Sequence, residues 1–63
     1  MIDPKDILGK EFNKAENAVQ KQGYTLREVQ KDGFHLAVDC MYDPTRVNVV
    51  TDNGVVTSVC NIG

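Results

Sequence analysis

The side chains best suited to chemistry are few: one histidine, His35, and two cysteines, Cys40 and Cys60. A cysteine nucleophile needs a base beside it, and His35 is the one histidine that could serve Cys40. No serine lies in an activating motif, and no C-x-x-C pair is present. A structural zinc site normally takes four ligands in close pairs, which these residues do not supply. We therefore predict that the chain is not an enzyme and holds no metal or cofactor.

The two cysteines leave two states open. Cys40 and Cys60 could form one bridge or remain thiols. A small domain with a thin core gains from a covalent staple, and closing a loop of this length contributes roughly 3 kcal/mol in the chain-entropy model.

Length and charge narrow the function classes. The chain has 63 residues, enough for one domain with a marginal core. Its formal net charge of −2 and the absence of a Lys/Arg run argue against nucleic acid as a partner. No apolar run is long enough for a membrane span, and no apolar signal segment follows Met1. A binding module fits this size better than an enzyme with a deep pocket.

Hydrophobic periodicity predicts one helix and a small sheet. Apolar residues recur at helical spacing over residues 12–22, and the helix is expected to end at Gly23. Three segments favour strands, at residues 24–29, 46–51 and 55–60, and the last two flank the hairpin signal Asn53-Gly54. Lys31-Asp32-Gly33 is a turn signal, and the segment 34–38 after it is apolar but interrupted. We predict an α+β fold, with a polar lead-in over residues 1–6 and a single domain over residues 7–63.

The segment before the second predicted strand has no period. It runs Asp39-Cys40-Met41-Tyr42-Asp43-Pro44-Thr45 and combines exposed-looking apolar side chains with a proline. Irregular loops on a rigid scaffold often carry function. This loop is therefore the strongest candidate for a binding site.

The order and spacing of three segments resemble the potato inhibitor I family of serine protease inhibitors, including its bacterial and fungal relatives. Leu8-Gly9-Lys10 resembles the opening of the family, and Tyr42-Asp43-Pro44-Thr45-Arg46-Val47-Asn48-Val49 resembles the Tyr-x-Pro-x-Arg-Leu-Asn-Val run of its bacterial members. The last hairpin, from Asp52 to Gly63, resembles the family's final strands and terminal glycine. One departure is that Asn48 stands where plant members have a second supporting arginine.

The resemblance implies a protease inhibitor with an extended, substrate-like loop at about residues 37–45. The expected partner is a chymotrypsin-like or subtilisin-like serine protease, with no nucleic acid and no membrane, and the inhibitor is expected to be a monomer. The implied loop residues are Val38, Asp39, Cys40, Met41, Tyr42 and Asp43. Three bonds remain open as the reactive bond: Val38–Asp39, Cys40–Met41 and Met41–Tyr42.

The scaffold of such an inhibitor must hold the loop still. Arg46 is the expected brace, because its donors can bond loop carbonyls or the carboxylates of Asp39 or Asp43. Asn48 lies on the same side of the strand and could also bond the loop, so Val47 and Val49 are expected to face the core. Gly63 stands at the end of the hairpin. A Cys40–Cys60 disulfide would be a second brace, and we favour it over two unlinked thiols. A bridge would indicate a secreted or otherwise oxidising compartment, whereas localisation is otherwise open.

The main alternative is a non-inhibitory binding module, or a homo-oligomer, on the same fold. The loop between Gly33 and Arg46 is longer than is usual in the family, so another partner could use it. Edge strands of a small sheet also invite pairing between copies.

Overall fold

One α-helix packs on a four-stranded mixed sheet in the computed structural model, which describes residues 3–36, 38 and 41–63. This arrangement confirms the predicted α+β fold. The strand order is β2-β1-β3-β4; β1 and β3 are parallel, and the two outer pairs are antiparallel. The elements are a 3₁₀-helix at Pro4–Asp6, α1 at Phe12–Gln20, β1 at Thr25–Lys31, β2 at Phe34–His35, β3 at Arg46–Asp52 and β4 at Val55–Ile62.

Helix α1 ends with the glycine cap that the sequence predicts. Gly23 has φ +83°, the left-handed conformation that glycine adopts without strain. The N–H of Tyr24 donates to the carbonyl of Val19 at 3.0 Å, and the N–H of Gly23 donates to that of Gln20 at 3.0 Å. This pair of bonds is a Schellman motif. The regular helix stops at Gln20, two residues before the predicted end, because residues 21–23 form this cap.

The core lies between α1 and one face of the sheet. Ala15 and Val19 lie on the buried stripe of the helix. Val47 and Val49 lie two residues apart on β3, as the strand period requires for one face, and both are buried in the same core cluster as Ala15 and Val19. The fully or nearly buried apolar side chains are Ile7, Ala15, Val19, Leu26, Val47, Val49 and Val56.

Two tight turns close the end of the sheet that is remote from the candidate loop. Asp32 and Gly33 join β1 to β2, Asn53 and Gly54 join β3 to β4, and all four residues have positive φ. Because β1 and β3 are parallel, both turns lie at the same end. The carboxylate of Asp32 accepts a hydrogen bond from the N–H of Asn53 at 2.6 Å, so the turns are linked directly.

Further boundaries differ from those predicted, among them those of β1, which is Thr25–Lys31 instead of 24–29, and β3, which is Arg46–Asp52 instead of 46–51. The lead-in contains a short 3₁₀-helix, since the Asp3 side chain accepts from the N–H of Lys5 at 3.0 Å and caps its first turn. The interrupted apolar segment after Gly33 forms the two-residue strand β2 before it leaves the sheet. Strand β4 runs to Ile62 rather than stopping at residue 60, because Asn61 and Ile62 continue the pairing with β3.

The candidate loop returns to the sheet where β1 and β3 begin. Its described residues, Leu36, Val38 and 41–45, lie outside the helices and strands. The main-chain oxygen of Thr45 accepts from the N–H of Thr25 at 2.7 Å, which fixes the end of the loop beside the first residue of β1.

Within the described part of the chain, no helix combines the length and the apolar character that crossing a membrane requires.

Candidate functional site

A hydrogen-bonded turn leads from the loop into β3. The N–H of Arg46 donates to the carbonyl of Asp43 at 3.2 Å, and Pro44 lies at the second position, where its fixed φ favours this turn. The Asp43 carboxylate accepts from both the N–H and the hydroxyl of Thr45, at 2.9 and 2.7 Å. The loop therefore enters the strand through a turn that its own side chains close.

The same contacts control the ionisation of Asp43. The N–H of Thr45 and then its hydroxyl hold the pKa of the carboxyl below its ordinary value of 3.8. The positive charges of Arg46 and Arg27 lower this pKa further by smaller amounts, and desolvation opposes them. Asp43 is therefore a carboxylate near neutral pH, and it keeps both of its Thr45 bonds.

Arg46 links the loop to Gly63, the residue that follows the neighbouring strand β4. Its Nη2 donates to the main-chain oxygen of Met41 at 2.5 Å, and its Nε donates to the main-chain oxygen of Gly63 at 2.9 Å. The N–H of Gly63 returns a bond to the carbonyl of Arg46 at 2.9 Å. The planar guanidinium thus holds two chain segments at once, a geometry that a lysine ammonium does not reproduce.

Asn48 supplies a second contact to Gly63. It is buried although polar, and its Nδ2 donates to the oxygen of Gly63 at 3.0 Å and to Oδ1 of Asn61 at 2.9 Å. Two side chains of β3, Arg46 and Asn48, therefore converge on one main-chain oxygen. Within the described residues, the Asn48 side chain bonds Gly63 and Asn61 on the β4 side and makes no bond to the loop itself. It therefore supports the loop only through Gly63.

Arg27 was not among the predicted site residues. Its Nε donates to Oδ1 of Asn48 at 2.8 Å, across the parallel pair of β1 and β3. Sequence reasoning missed it because only the register of two strands far apart in the chain places these residues side by side. The available signal was an arginine in the middle of a predicted strand, directly after the apolar Leu26.

The loop presents large apolar side chains to solvent. Met41 is 75% exposed and Tyr42 is 74% exposed, although the backbone of Met41 is held by Arg46. The Tyr42 ring lies over Gly63, since a Cβ placed on that glycine would be 3.7 Å from the ring. Val38 is also exposed. At Met41, therefore, a restrained backbone carries an exposed apolar side chain.

Two of the predicted loop residues, Asp39 and Cys40, lie outside the described residues. Cys60 carries a free, exposed thiol, so the structure does not support the Cys40–Cys60 disulfide, which stays a prediction. Among residues 3–36, 38 and 41–63, no group of three or more His, Cys, Asp and Glu side chains could hold a metal ion.

No protein-family model, curated protein or solved structure matches this chain.

Proposed function

We propose that this chain is a serine protease inhibitor that presents residues 37–45 to the protease as a substrate-like loop. The observation that carries the proposal is the bond from Arg46 to the main-chain oxygen of Met41 at 2.5 Å. It restrains the backbone of a loop whose Met41 and Tyr42 side chains are three-quarters exposed. A loop restrained in this way, with apolar side chains facing outward, suits insertion into a protease cleft.

Restraint explains why such a loop inhibits and is not simply cut. A loop held near its bound shape loses little entropy on binding, so the contacts contribute more of their free energy to affinity. Arg46 and Asn48 also hold Gly63, and the Asp43 turn fixes the return to β3. After cleavage at Val38–Asp39 or Cys40–Met41, these contacts all lie within the C-terminal fragment and would keep its new amino end near its original position.

The same bond bears on which peptide bond the protease would attack. A serine protease binds the carbonyl oxygen of the attacked residue with its oxyanion donors. The Met41 oxygen is already taken by Arg46, so attack at Met41–Tyr42 would require that bond to break. This favours Cys40–Met41 or Val38–Asp39 over Met41–Tyr42 as the reactive bond.

The residues on either side of these bonds indicate the class of protease. None of Val38, Cys40 and Met41 is basic, so a pocket that requires Lys or Arg would be poorly filled. Chymotrypsin-like and subtilisin-like enzymes accept apolar side chains in their primary pockets. We propose these two classes as targets, with weak inhibition of trypsin.

Incubation with a slight molar excess of inhibitor over subtilisin, followed by mass spectrometry, tests the proposal. An inhibitor remains intact or is cut once within residues 37–45, and the cut locates the reactive bond. Rapid degradation from this loop, without loss of protease activity, would contradict the proposal. That outcome would favour the alternative of a non-inhibitory binding module. Repeating the incubation with reductant tests the Cys40–Cys60 disulfide, because loss of a bridge would weaken inhibition.

A further inference from the structure

A row of polar side chains crosses the sheet on the face opposite α1. In the strand register, Arg27 of β1 pairs with Asn48 of β3, and Asn48 pairs with Asn61 of β4. Hydrogen bonds join the side chains in the same order, from Arg27 Nε to Asn48 Oδ1 at 2.8 Å and from Asn48 Nδ2 to Asn61 Oδ1 at 2.9 Å. Asn48 also reaches the oxygen of Gly63.

The direction of these bonds depends on Arg27. An arginine side chain donates and never accepts, so it selects the orientation of the Asn48 amide in which Oδ1 faces β1. In that orientation Nδ2 faces two acceptors, Asn61 Oδ1 and the oxygen of Gly63. The reversed amide would set oxygen against oxygen on the β4 side. Because Asn48 is buried, water would not readily relieve that conflict.

Gly63 then connects this row to the loop. Its main-chain oxygen accepts from Asn48 at 3.0 Å and from Arg46 Nε at 2.9 Å. The other arm of Arg46 holds the oxygen of Met41. A continuous path of hydrogen bonds therefore runs from Arg27 on β1 to the backbone of the loop.

We infer that Arg27 is a positioning residue for the loop, which acts by orienting the Asn48 amide and through it Gly63 and Arg46. Arg46 on β3 is the first guanidinium that supports the loop region. Arg27 supplies the second from β1, the neighbouring parallel strand. The inference that Arg27 positions the loop for inhibition rests on the proposed function. The hydrogen-bond path from Arg27 to Gly63 does not depend on that function, so the path and the function can be tested separately.

The test uses the full chain with Arg27→Met, Asn48→Ala and the double variant. Arg27→Met keeps a long apolar stem and removes the donors, and Lys31→Met on the same strand is the matched control because Lys31 is exposed. Two readouts are recorded by NMR and by enzyme assay. The first is the hydrogen-exchange rate of the Gly63 amide relative to that of Val49 at the centre of the sheet. The second is the inhibition constant against subtilisin.

The expected result is specific to the path. Arg27→Met raises Gly63 exchange relative to Val49 exchange by about tenfold and weakens inhibition by about tenfold, as for the loss of one charged hydrogen bond. In the Asn48→Ala background, the same change alters both quantities by less than about twofold, since the intermediary is gone. Lys31→Met leaves both unchanged.

Other results overturn the inference. A parallel rise of Gly63 and Val49 exchange would mean that Arg27 only supports global stability. An equal effect of Arg27→Met with and without Asn48 would mean that it does not act through the amide. If the unsubstituted chain inhibits neither subtilisin nor chymotrypsin, the proposed function fails, and the exchange ratio alone decides whether Arg27 orders Gly63.

Discussion

The guanidinium of Arg46 donates to the main-chain oxygen of Met41 at 2.5 Å, across a turn that begins at Asp43. The residue that opens β3 therefore holds the backbone of the loop that precedes it. The same guanidinium holds Gly63 beyond the end of β4. One side chain thus ties the loop to the last strand of the sheet, and replacing it should loosen both.

Arg46→Ala should separate inhibition from folding. The variant loses the bonds to Met41 and Gly63, and we expect the inhibition constant against subtilisin to rise by about a hundredfold. Mass spectrometry should show faster cleavage within residues 37–45. The core is untouched, so circular dichroism should retain the native spectrum. Lys31→Ala, on the exposed side of β1, is the control and should behave as the unsubstituted chain. If Arg46→Ala inhibited subtilisin as strongly as the unsubstituted chain, Arg46 would not be the residue that holds the loop.

Asn48→Ala should lower the free energy of unfolding by about 2 kcal/mol, because a buried amide with three hydrogen bonds is removed and Arg27 loses an acceptor. Urea denaturation followed by circular dichroism measures this change. Ser58→Ala is the comparison, since its side chain is exposed on β4 and its loss should alter the free energy by no more than about 0.5 kcal/mol. Equal effects of the two substitutions would show that the polar row contributes nothing specific.

The Asp43 turn should depend on pH in the acid range only. Since the pKa of Asp43 is lowered in the folded chain, its contribution is complete above the ordinary value of 3.8. The contribution is lost as pH falls through the lower, folded pKa. NMR titration of the Thr45 amide should show a midpoint below 3.8, and Asp43→Asn should abolish this titration. A midpoint at or above 3.8 would mean that the Thr45 bonds do not stabilise the carboxylate in solution.

Ile7 should mark the beginning of the folded core. Its side chain is fully buried, whereas that of the next residue, Leu8, is 42% exposed. Ile7→Ala should reduce the free energy of unfolding by about 2–5 kcal/mol through lost burial and a cavity. Leu8→Ala should cost much less, measured by the same denaturation experiment. If Ile7→Ala reduced the free energy of unfolding as little as Leu8→Ala, the core would begin later than residue 7.

Local signals in the sequence predicted much of the fold. Asn53-Gly54 and Asp32-Gly33 adopt the positive φ angles that tight turns require, and Gly23 caps the helix. The alternation along β3 predicted that Val47 and Val49 would be buried. Each of these features depends on residues close together in the chain, where steric and hydrophobic preferences act directly.

The support of the loop was less predictable, because it depends on strand register. Arg46 was expected to bond loop carbonyls or the carboxylate of Asp39 or Asp43, and the structure contains one such bond, to the Met41 carbonyl. The role of Arg27 requires that it pair with Asn48 across parallel strands, which no local pattern encodes. The turn between β1 and β2 was predicted, but the pairing of Phe34 and His35 was not, because two residues are too few to show a period.

Titration of subtilisin and chymotrypsin with the purified chain, with trypsin as the comparison enzyme, shows whether the chain is a protease inhibitor. We predict loss of subtilisin or chymotrypsin activity at a one-to-one molar ratio, and weaker inhibition of trypsin. Retention of full activity by both enzymes at molar excess, or stronger inhibition of trypsin than of either, would contradict this prediction.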